Sequence, residues 1–561
     1  MESQILKRIC KTKFIQDRLL DAHRRFAKDE NGAVLVFSLT LFILMVMMGG
    51  LAVDLMRYET TRTTLQNTLD RSTLAAASLS QTLNPESVVR DYFAKAGISQ
   101  YLTAVNVDNG LNYRNVHADA KANADPYFLH MIGINKFEAP GNASAEQRIS
   151  NVEIALVLDV SGSMAGTKIA GLKTAASEFV ASVLANDGDD RISIGLVPYN
   201  GQVNLGSIMA AKYNMTATNG VADANCVDLP ASVYSGTSMS RTLAMPQTAY
   251  ADTYSSTSQS TSYVATSSGA PNSGNRWCPP SLTNIVRAPI NDVATLQGYI
   301  NGLSAIGATS INAGLKWGLA LLDPASRDIF AELANANKIP AKFAVRPFEY
   351  TDDEAMKVIV LMTDGEHFAE ERVNDSYKSG NSPIYKGSDN NYSIRHTSGR
   401  PTAAGTNEYF VPHLCTTTNC KTGSNTSEAW QSTPWSAGVQ QSWQKVWADL
   451  RVSYVAWQMY ERALSKDATR GATYNTWMAN FRSLTPTTSM DSQLQAVCAL
   501  AKTKKNVVIY GIAFDAPTRG QEMISQCSSG GQYYYKSNDS VGIRSAFRSI
   551  ALNISQLRLT Q

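Results

Sequence analysis

The stretch of sequence that decides the fold is Ile154-Ala-Leu-Val-Leu-Asp159-Val-Ser161-Gly-Ser163-Met164, where five apolar residues run directly into an acid and two hydroxyls. An unbroken apolar run of this length, followed by turn residues, is typical of a central strand that is buried on both faces. Open α/β sheets bind ligands at the carboxyl ends of such strands. Because carboxylates and hydroxyls are hard oxygen donors of the kind that Mg²⁺ prefers, this strand end is a candidate cation site.

The segments that follow alternate between strand and helical patterns. Apolar runs predict further strands at residues 191–198, 356–364 and 506–515, and helical patterns lie at about residues 168–184, 292–303 and 541–557. Strands that alternate with helices predict an α/β fold whose core is a doubly wound, mainly parallel sheet. Two more oxygen-bearing motifs lie at element ends: Gly307-Ala-Thr309 precedes a helical pattern, and Thr-Asp364-Gly ends a strand.

The motifs Asp-x-Ser-x-Ser, Gly-x-Thr and Thr-Asp-Gly, in this order, resemble those of a von Willebrand factor A domain. The resemblance implies a Rossmann-type domain over residues 151–561 with a metal-ion-dependent adhesion site (MIDAS). Carried over residue by residue, the implied metal ligands are Asp159, Ser161, Ser163, Thr309 and Asp364. The implied cofactor is Mg²⁺, or Mn²⁺ or Ca²⁺ in its place. The implied partner is a protein whose acidic residue completes the coordination.

Catalytic roles fit these residues poorly. The sequence Asp159-Val-Ser-Gly-Ser is not a nucleophile elbow, and no histidine partner is evident for Ser161 or Ser163. A phosphatase-like Asp159 would want a second Asp nearby, at the place where Ser161 stands. His367, three residues after Asp364, is the one reservation. We therefore expect a binding protein, not an enzyme, with no catalytic residues.

The charge balance separates the N-terminus from the rest of the chain. Residues 1–32 contain eight Lys or Arg and five Asp or Glu, which accounts for the whole net charge of +3 of the 561-residue chain. The remaining 42 basic and 42 acidic residues cancel. Since no basic surplus remains elsewhere, we expect no nucleic-acid partner. A chain of this length also exceeds a single hydrophobic core, so several structural units are expected.

Residues 33–53 form an apolar run, AVLVFSLTLFILMVMMGGLAV, in which Ser38 and Thr40 are the polar residues. The run is long enough to cross a membrane as a helix, and the preceding basic tail (1–32) predicts a cytoplasmic N-terminus. Residues 54–80 contain no Gly or Pro, so the helix is expected to continue as a stalk. The whole segment 33–80 would be about 70 Å long. Asp54, at the edge of the span, is expected to have a structural role.

The sequence Lys28-Asp-Glu-Asn-Gly-Ala-Val, the apolar run, Leu51-Ala-Val-Asp-Leu-Met-Arg57 and the small-residue segment at 65–77 resemble the N-terminus of TadE/TadG-like proteins. These proteins belong to the tight-adherence (Flp) pilus system of bacteria. The resemblance implies a single-pass inner-membrane protein whose main domain is periplasmic or surface-exposed. Pilin-type members are cleaved after a Gly with Glu five residues on, where this chain has Phe37 after Gly32. A retained anchor is therefore expected, although cleavage at Gly32 stays open.

Between the stalk and the main domain, residues 81–150 predict a small α+β spacer. The pattern indicates a helix from Pro85, strands near 101–107 and 116–124, a short helix at 125–133 and an extended segment at 136–148. Two large insertions, at about 203–290 and 367–485, interrupt the main domain. Residues 203–290 and 367–440 have the composition of loops.

Six of the seven cysteines follow the apolar run, which suggests disulfides in an oxidising compartment. Of the fifteen pairings, the simplest joins sequence neighbours: Cys226 with Cys278, Cys415 with Cys420, and Cys498 with Cys527. Half a zinc site at Cys415 and Cys420 is the alternative, but it lacks a second cysteine pair.

An aromatic stripe at helical spacing lies in the second insertion, with further tryptophans nearby: Trp443, Trp447, Leu450, Tyr454, Trp457 and Leu464, with Trp430, Trp435 and Trp477. Such a stripe is more often core than a carbohydrate-binding surface.

These observations predict a membrane-anchored component of a tight-adherence pilus system. It would bind a protein or surface ligand, or pilus and envelope components, through the metal site. The alternative is a structural anchor or assembly factor in which the metal only stabilises the fold. The ligand and the oligomeric state stay open.

Overall fold

The computed structural model describes residues 18–25, 31–78, 83–109, 113–148, 151–185, 187, 190–256, 264–352, 355–416, 420–421, 427–466, 469–504 and 507–560. The chain divides near residue 150 into two compact units. Most of the predicted basic tail, including Cys10, lies outside the described residues.

The predicted span and stalk form one continuous helix, α1 (Asn31–Ala77), of 47 residues. Within the described part of the chain, Val34–Ala77 is the one helix long and apolar enough to cross a membrane. Helix α2 (Pro85–Lys95) begins at an N-cap, Asn84, whose side chain accepts a hydrogen bond from the Ser87 backbone N–H. Proline at the first helical position suits this start, because its missing N–H would have no helical partner there.

The spacer contains the two predicted strands, β1 (Leu102–Asn109) and β2 (Tyr113–Ala124), and the predicted extended segment is a third strand, β3 (Phe137–Arg148). They pair as an antiparallel meander in the order β1-β2-β3. The second half of α1 packs against this meander and α2, and its Leu65 and Leu69 lie in the same buried cluster as Val89 and Phe93. The predicted stalk is therefore also the central core helix of the spacer.

The second unit contains the predicted alternating elements and several inserted ones. Its main helices are α3 (Thr167–Leu184), α4 (Val293–Asn301), α5 (Ile311–Leu322), α6 (Arg327–Asn335), α7 (Trp443–Asp449), α8 (Ala472–Phe481), α9 (Thr487–Thr503), α10 (Thr518–Cys527) and α11 (Ser540–Thr560). Its strands of four or more residues are β4 (Asn151–Asp159), β5 (Ile192–Tyr199), β6 (Arg287–Ile290), β7 (Ala355–Thr363), β8 (Glu370–Val373), β9 (Asn381–Lys386), β10 (Tyr392–Arg395), β11 (Val439–Ser442), β12 (Arg482–Thr485), β13 (Val507–Phe514) and β14 (Tyr534–Ser537). Shorter pieces are the helix Gly206–Ala210 and the two-residue strands Met215–Thr216, Met245–Pro246, Tyr409–Phe410 and Trp430–Gln431.

The main sheet has six strands in the order β14-β13-β7-β4-β5-β6. All neighbouring pairs are parallel except β5 and β6, which are antiparallel. Helix α3 packs against both α4 and α11. Helix α5 packs on β4, β5 and β7 and against α9. The helices that cover the sheet therefore form two groups. The predicted doubly wound, mainly parallel α/β sheet is confirmed. The residues of strand β4 from Val152 onward are buried, as expected for a strand in the interior of this sheet.

The second insertion is not the loop that its composition indicates. Strands β9, β10 and β11, with Tyr409–Phe410 and Trp430–Gln431, form a five-stranded sheet whose paired strands are antiparallel. Its strands have two to six residues each, too short to show an alternating pattern in sequence. Strand β8 pairs with β12 outside this sheet.

The aromatic stripe is core, as predicted. Trp443, Trp447, Tyr454 and Trp457 are buried in one cluster that also contains Trp430. The stripe does not lie on one regular helix: α7 ends at Asp449, and the next helical run, Val452–Tyr454, Val455–Glu461 and Arg462–Leu464, is π-helical in the middle. The three predicted disulfides are present: Cys226–Cys278, Cys415–Cys420 and Cys498–Cys527.

Candidate metal site

The candidate site lies where the strand order reverses. In the sheet, β4 lies between β5 on one side and β7 on the other. Open α/β sheets form a ligand crevice at the carboxyl ends of strands at such a switch point. Leu158 of β4 is paired with Met362 of β7, so Asp159 and Asp364 follow these residues at the same edge of the sheet.

Four of the five predicted ligands form one hydrogen-bonded cluster. Asp159 accepts a hydrogen bond from the Ser161 backbone N–H at 2.8 Å and another from the Thr363 hydroxyl at 2.7 Å. The hydroxyl oxygens of Ser161 and Ser163 are 3.0 Å apart, and the Ser163 hydroxyl donates to Asp364 Oδ1 at 2.7 Å. Both acids and Ser161 are buried, whereas Ser163 is exposed. The cluster therefore opens to solvent on the Ser163 side.

The fifth predicted ligand, Thr309, lies on a loop that packs against the other two. The Gly162 backbone N–H donates to the Gly307 carbonyl at 2.9 Å, and the Phe368 N–H donates to the Thr309 carbonyl at 2.9 Å. A Cβ on Gly365 would lie 3.7 Å from Thr309 Oγ1, so this hydroxyl faces the loop after β7. The hydrogen bonds described for this region do not join the Thr309 hydroxyl to the other four candidate ligands.

Two charged residues at the site were not predicted from the sequence. The Lys168 ammonium lies 3.0 Å from Asp364 Oδ2 and 3.0 Å from Asp515 Oδ2. Although partial burial opposes it, hydrogen bonds to both carboxylates raise the pKa of Lys168. Each residue carries a signal in the sequence: Lys168 stands in the first turn of α3, and Asp515 directly follows a strand, as Asp364 does.

The electrostatics of the cluster favour a divalent cation. Burial, and in second place the neighbouring Asp364 carboxylate, raise the pKa of Asp159 to about 6. When ionised, Asp159, Asp364 and Asp515 carry three negative charges against the one positive charge of Lys168, which leaves a net charge of −2. Ser163 donates its proton to Asp364 and accepts a hydrogen bond from the Ser161 hydroxyl, which leaves one lone pair of its oxygen to face a cation. The chemistry of the donor set therefore fits Mg²⁺ or a similar ion.

The described residues do not include a group of three His, Cys, Asp or Glu side chains that could by themselves hold a metal. The candidate set depends instead on two carboxylates and three hydroxyls. Metal binding at these residues is accordingly a prediction, and it needs water or a partner to complete the coordination shell.

His367 lies close in sequence but bonds elsewhere. Its Nδ1 is 2.7 Å from Asp491 Oδ1, and its Nε2 accepts a hydrogen bond from the Asn312 backbone N–H at 3.1 Å. Because Nε2 accepts, Nδ1 carries the proton that is donated to Asp491. Burial lowers the pKa of His367, which keeps the ring neutral. Both ring nitrogens thus tie the loop after β7 to the starts of α5 and α9.

An aromatic cavity adjoins the Thr309 loop. It has a volume of about 140 Å³, and its walls include Tyr254, Trp277, Phe368, Gly307 and Ala308. The rings of Tyr254 and Phe368 meet edge to face with their centroids 5.1 Å apart, and both side chains are partly exposed. A cavity of about 150 Å³ is known to hold one benzene ring, so this one has room for a single apolar side chain.

Residues 32–79 match the family model described as "Putative Flp pilus-assembly TadE/G-like". This match confirms the resemblance that the N-terminal sequence shows, and it covers all but the first residue of helix α1. No curated protein matches the sequence of this chain.

Several solved structures are similar at low identity. The vWF domain of the type V pili tip protein Mfa5 from Porphyromonas gingivalis is 13% identical, with 74% of this chain and 98% of that chain covered and a TM-score of 0.30. The PilB minor pilin from Streptococcus sanguinis is 11% identical, with 81% and 78% covered and a TM-score of 0.28. A von Willebrand factor type A protein from Catenulispora acidiphila is 9% identical, with 81% and 50% covered and a TM-score of 0.24. Similarities this low do not by themselves assign a function.

Proposed function

We propose that this protein is a membrane-anchored, extracytoplasmic component of a bacterial tight-adherence (Flp) pilus system that binds an acidic protein ligand at a divalent cation. The observation that carries the proposal is the cluster at the switch point of the sheet, where two buried carboxylates and an exposed serine hydroxyl lie within one hydrogen-bonded network. The family match over residues 32–79 supports the pilus association. The basic N-terminal tail supports the orientation, with the tail cytoplasmic and the main domain outside the inner membrane.

Asp159, Ser161, Ser163, Thr309 and Asp364 would hold the cation. When bound, a Mg²⁺-class ion supplies a Lewis-acidic position that an incoming carboxylate can occupy. The net charge of −2 around the site repels a free carboxylate, so we expect acidic ligands to bind only with the cation. The exposed side chain of Ser163 marks the side from which the ligand arrives.

The aromatic cavity adds a second contact for the ligand. It shares Gly307 and Ala308 with the loop that carries Thr309, so a ligand bound at the metal would lie beside it. We therefore propose that the preferred ligand is a peptide with an acidic residue and a neighbouring large apolar side chain. Burial of that side chain against Tyr254 and Phe368 would supply most of the affinity, because buried aromatic contacts dominate interface energetics.

The proposal includes no catalytic step. The Ser161 and Ser163 hydroxyls bond to each other and onward to Asp364, and His367 is engaged at both ring nitrogens by other groups. A serine hydrolase of the Ser–His type would need a histidine at one of these hydroxyls.

The alternative is a structural anchor or assembly factor in which the cation stabilises the domain and no ligand binds. The buried carboxylates support this alternative, because any cation that neutralises them stabilises the folded state. The two functions differ in the effect of Asp159→Ala. Lost ligand binding with an unchanged melting temperature favours the adhesion role, and a large loss of stability with binding intact favours the structural role.

A test in two measurements separates metal binding from ligand binding. Calorimetric titration with Mn²⁺ compares the natural protein with Asp159→Ala, Ser163→Ala and the control Asp328→Ala, an exposed acid on α6. We expect the first two variants to lose Mn²⁺ binding and the control to keep it. A displayed peptide library is then selected in Mg²⁺ and in chelator. Enrichment of peptides with Asp or Glu in Mg²⁺ alone supports the adhesion role, and equal enrichment in chelator contradicts it.

A further inference from the structure

Asp54 on α1 fixes the segment 126–134 of the spacer to the helix. Its carboxylate accepts three backbone hydrogen bonds, each of 2.8 Å, from Tyr127, Phe128 and Leu129. Asp54 is buried by this contact, with 2% of its surface exposed. An aspartate that the sequence places at the edge of an apolar span therefore holds a second element there.

The contact continues one turn further into the apolar run, at Gly50. A Cβ on Gly50 would lie 2.4 Å from Phe128 Cγ, so the phenyl ring packs directly on the helix backbone. Nothing lies within 4 Å of the equivalent position on Gly49. On the other side of Asp54, the Arg57 guanidinium lies 3.7 Å from the centre of the Tyr127 ring.

Three apolar or aromatic side chains of this segment are exposed at the level where the predicted span ends. Tyr127, Phe128 and Ile134 are 63%, 39% and 40% exposed. Gly50 lies three residues before Val53, the last residue of the apolar run, which places Phe128 about 5 Å inside the edge of the hydrocarbon layer. The neighbouring lipid-facing side chains of α1, such as Met48, are exposed as well.

The backbone of the segment is suited to a membrane boundary. Backbone N–H groups that enter hydrocarbon without a partner cost several kcal/mol each. Here the N–H groups of residues 127–129 donate to Asp54, and those of Gly133 and Ile134 donate to the carbonyls of His130 and Leu129 at 3.1 Å. The segment can therefore present apolar side chains to lipid without exposing these donors to it.

We propose that residues 126–134 form a membrane-interface segment that inserts Tyr127, Phe128 and Ile134 into the outer boundary of the bilayer beside α1. The partner is the lipid surface itself. Tyrosine is favoured at this depth, where its ring meets acyl chains and its hydroxyl meets water. Arg57 is placed to contact lipid phosphates. The segment would set the depth and the rotation of α1 and hold the spacer on the membrane, independently of the metal site.

Fluorescent labelling of the full chain in lipid vesicles tests this proposal. A Cys10→Ser background leaves six cysteines, all in disulfides, so a single added cysteine at Tyr127, Ile134 or the control Tyr92 can carry the environment-sensitive dye NBD. Tyr92 is an exposed residue of α2, in the same unit. Phosphatidylcholine brominated near the glycerol end of its acyl chains should quench the dye at 127 and 134 at least twofold more than at 92.

Equal quenching at all three positions would overturn the proposal. Dyes at 127 and 134 that are shielded from aqueous iodide but not quenched by brominated lipid would also overturn it, because protein would then cover the segment.

The glycine pair, Gly49 and Gly50, supplies a matched control for the contact with α1. Gly50→Ala should displace the ring of Phe128 and raise iodide access at 134, whereas Gly49→Ala should not. No difference between these two variants would contradict the role of Gly50.

Discussion

The Lys168 ammonium lies 3.0 Å from Asp364 Oδ2, on the opposite carboxylate oxygen from the one that receives the Ser163 hydroxyl. Asp364, a predicted metal ligand, thus bonds to the Ser163 hydroxyl through one carboxylate oxygen and to the Lys168 ammonium through the other. Asp515 gives the same ammonium a second carboxylate partner. If a metal binds Asp364, the Asp515 carboxylate still balances the charge of the Lys168 ammonium.

We predict that Lys168→Met strengthens metal binding. The ammonium competes with an incoming cation for Asp364, and its removal changes the net charge around the site from −2 to −3. We expect Mn²⁺ to bind about tenfold more tightly, a factor that corresponds to about 1.4 kcal/mol. Calorimetric titration measures this, with Lys445→Met, an exposed lysine of α7, as the charge-matched control. Weaker binding in Lys168→Met would show instead that the ammonium orients Asp364 for the metal.

We predict that Phe368→Ala weakens the peptide but not the metal. The ring forms a wall of the aromatic cavity, whereas the hydrogen bond that Phe368 makes to Thr309 comes from its backbone N–H, which the substitution keeps. The affinity for an acidic peptide selected in Mg²⁺ should fall about tenfold, as for loss of one aromatic anchor. Mn²⁺ affinity should be unchanged. Leu484→Ala, an exposed apolar residue on β12, is the control. Equal losses of metal and peptide binding would mean that the variant disturbs the Thr309 loop.

We predict that His396 makes the second insertion sensitive to acid. Its ring is buried, its Nε2 donates to the Met459 carbonyl at 2.8 Å, and burial lowers its pKa to about 4 from an ordinary value of 6.5. Between these values the unfolded chain binds a proton that the folded chain does not. Stability contributed by the neutral ring is therefore complete above pH 6.5 and falls as the pH drops to about 4, by about 3 kcal/mol in all.

Urea unfolding at pH 7.5 and pH 4.5 tests this prediction. His396→Phe should lose stability at pH 7.5, because it lacks the hydrogen bond, but should show a smaller further loss at pH 4.5 than the natural protein. His23→Gln, at an exposed histidine of the first unit, should leave the pH dependence unchanged. An equal pH dependence in His396→Phe would contradict the role of this ring.

A buried ion pair lies at the other end of the sheet from the candidate site. Lys357 of β7 and Glu153 of β4 are register partners in direct contact, with side chains 0% and 3% exposed. Removing one partner leaves an uncompensated buried charge, so Lys357→Met should cost about 3–5 kcal/mol of unfolding free energy. The double variant Glu153→Leu/Lys357→Met should recover most of that loss. Chemical denaturation of the four proteins measures the coupling, and additive losses would contradict it.

Much of the candidate site could be predicted because each part lies within a short segment. Asp159, Ser161 and Ser163 follow an apolar run that marks a strand buried on both faces, and Asp364 follows a second such run. Parallel strands bring their carboxyl ends to one edge, and the resemblance to von Willebrand factor A domains implied that these residues lie together there. Lys168 was not predicted, because its partners Asp364 and Asp515 come from distant strands and a helix-start lysine is common.

By itself the sequence determined the apolar span, the alternating elements, the spacer strands and the three disulfides. Periodicity and composition are properties of short segments, and the pairing of each cysteine with its neighbour uses only their order in the chain. One sequence is therefore enough to show them. Only the tertiary structure decided that Asp54 caps residues 127–129, that Gly50 receives the Phe128 ring, and that the second insertion folds into a sheet. These features depend on contacts between segments far apart in the chain or on strands of two to six residues, for which local pattern carries no information.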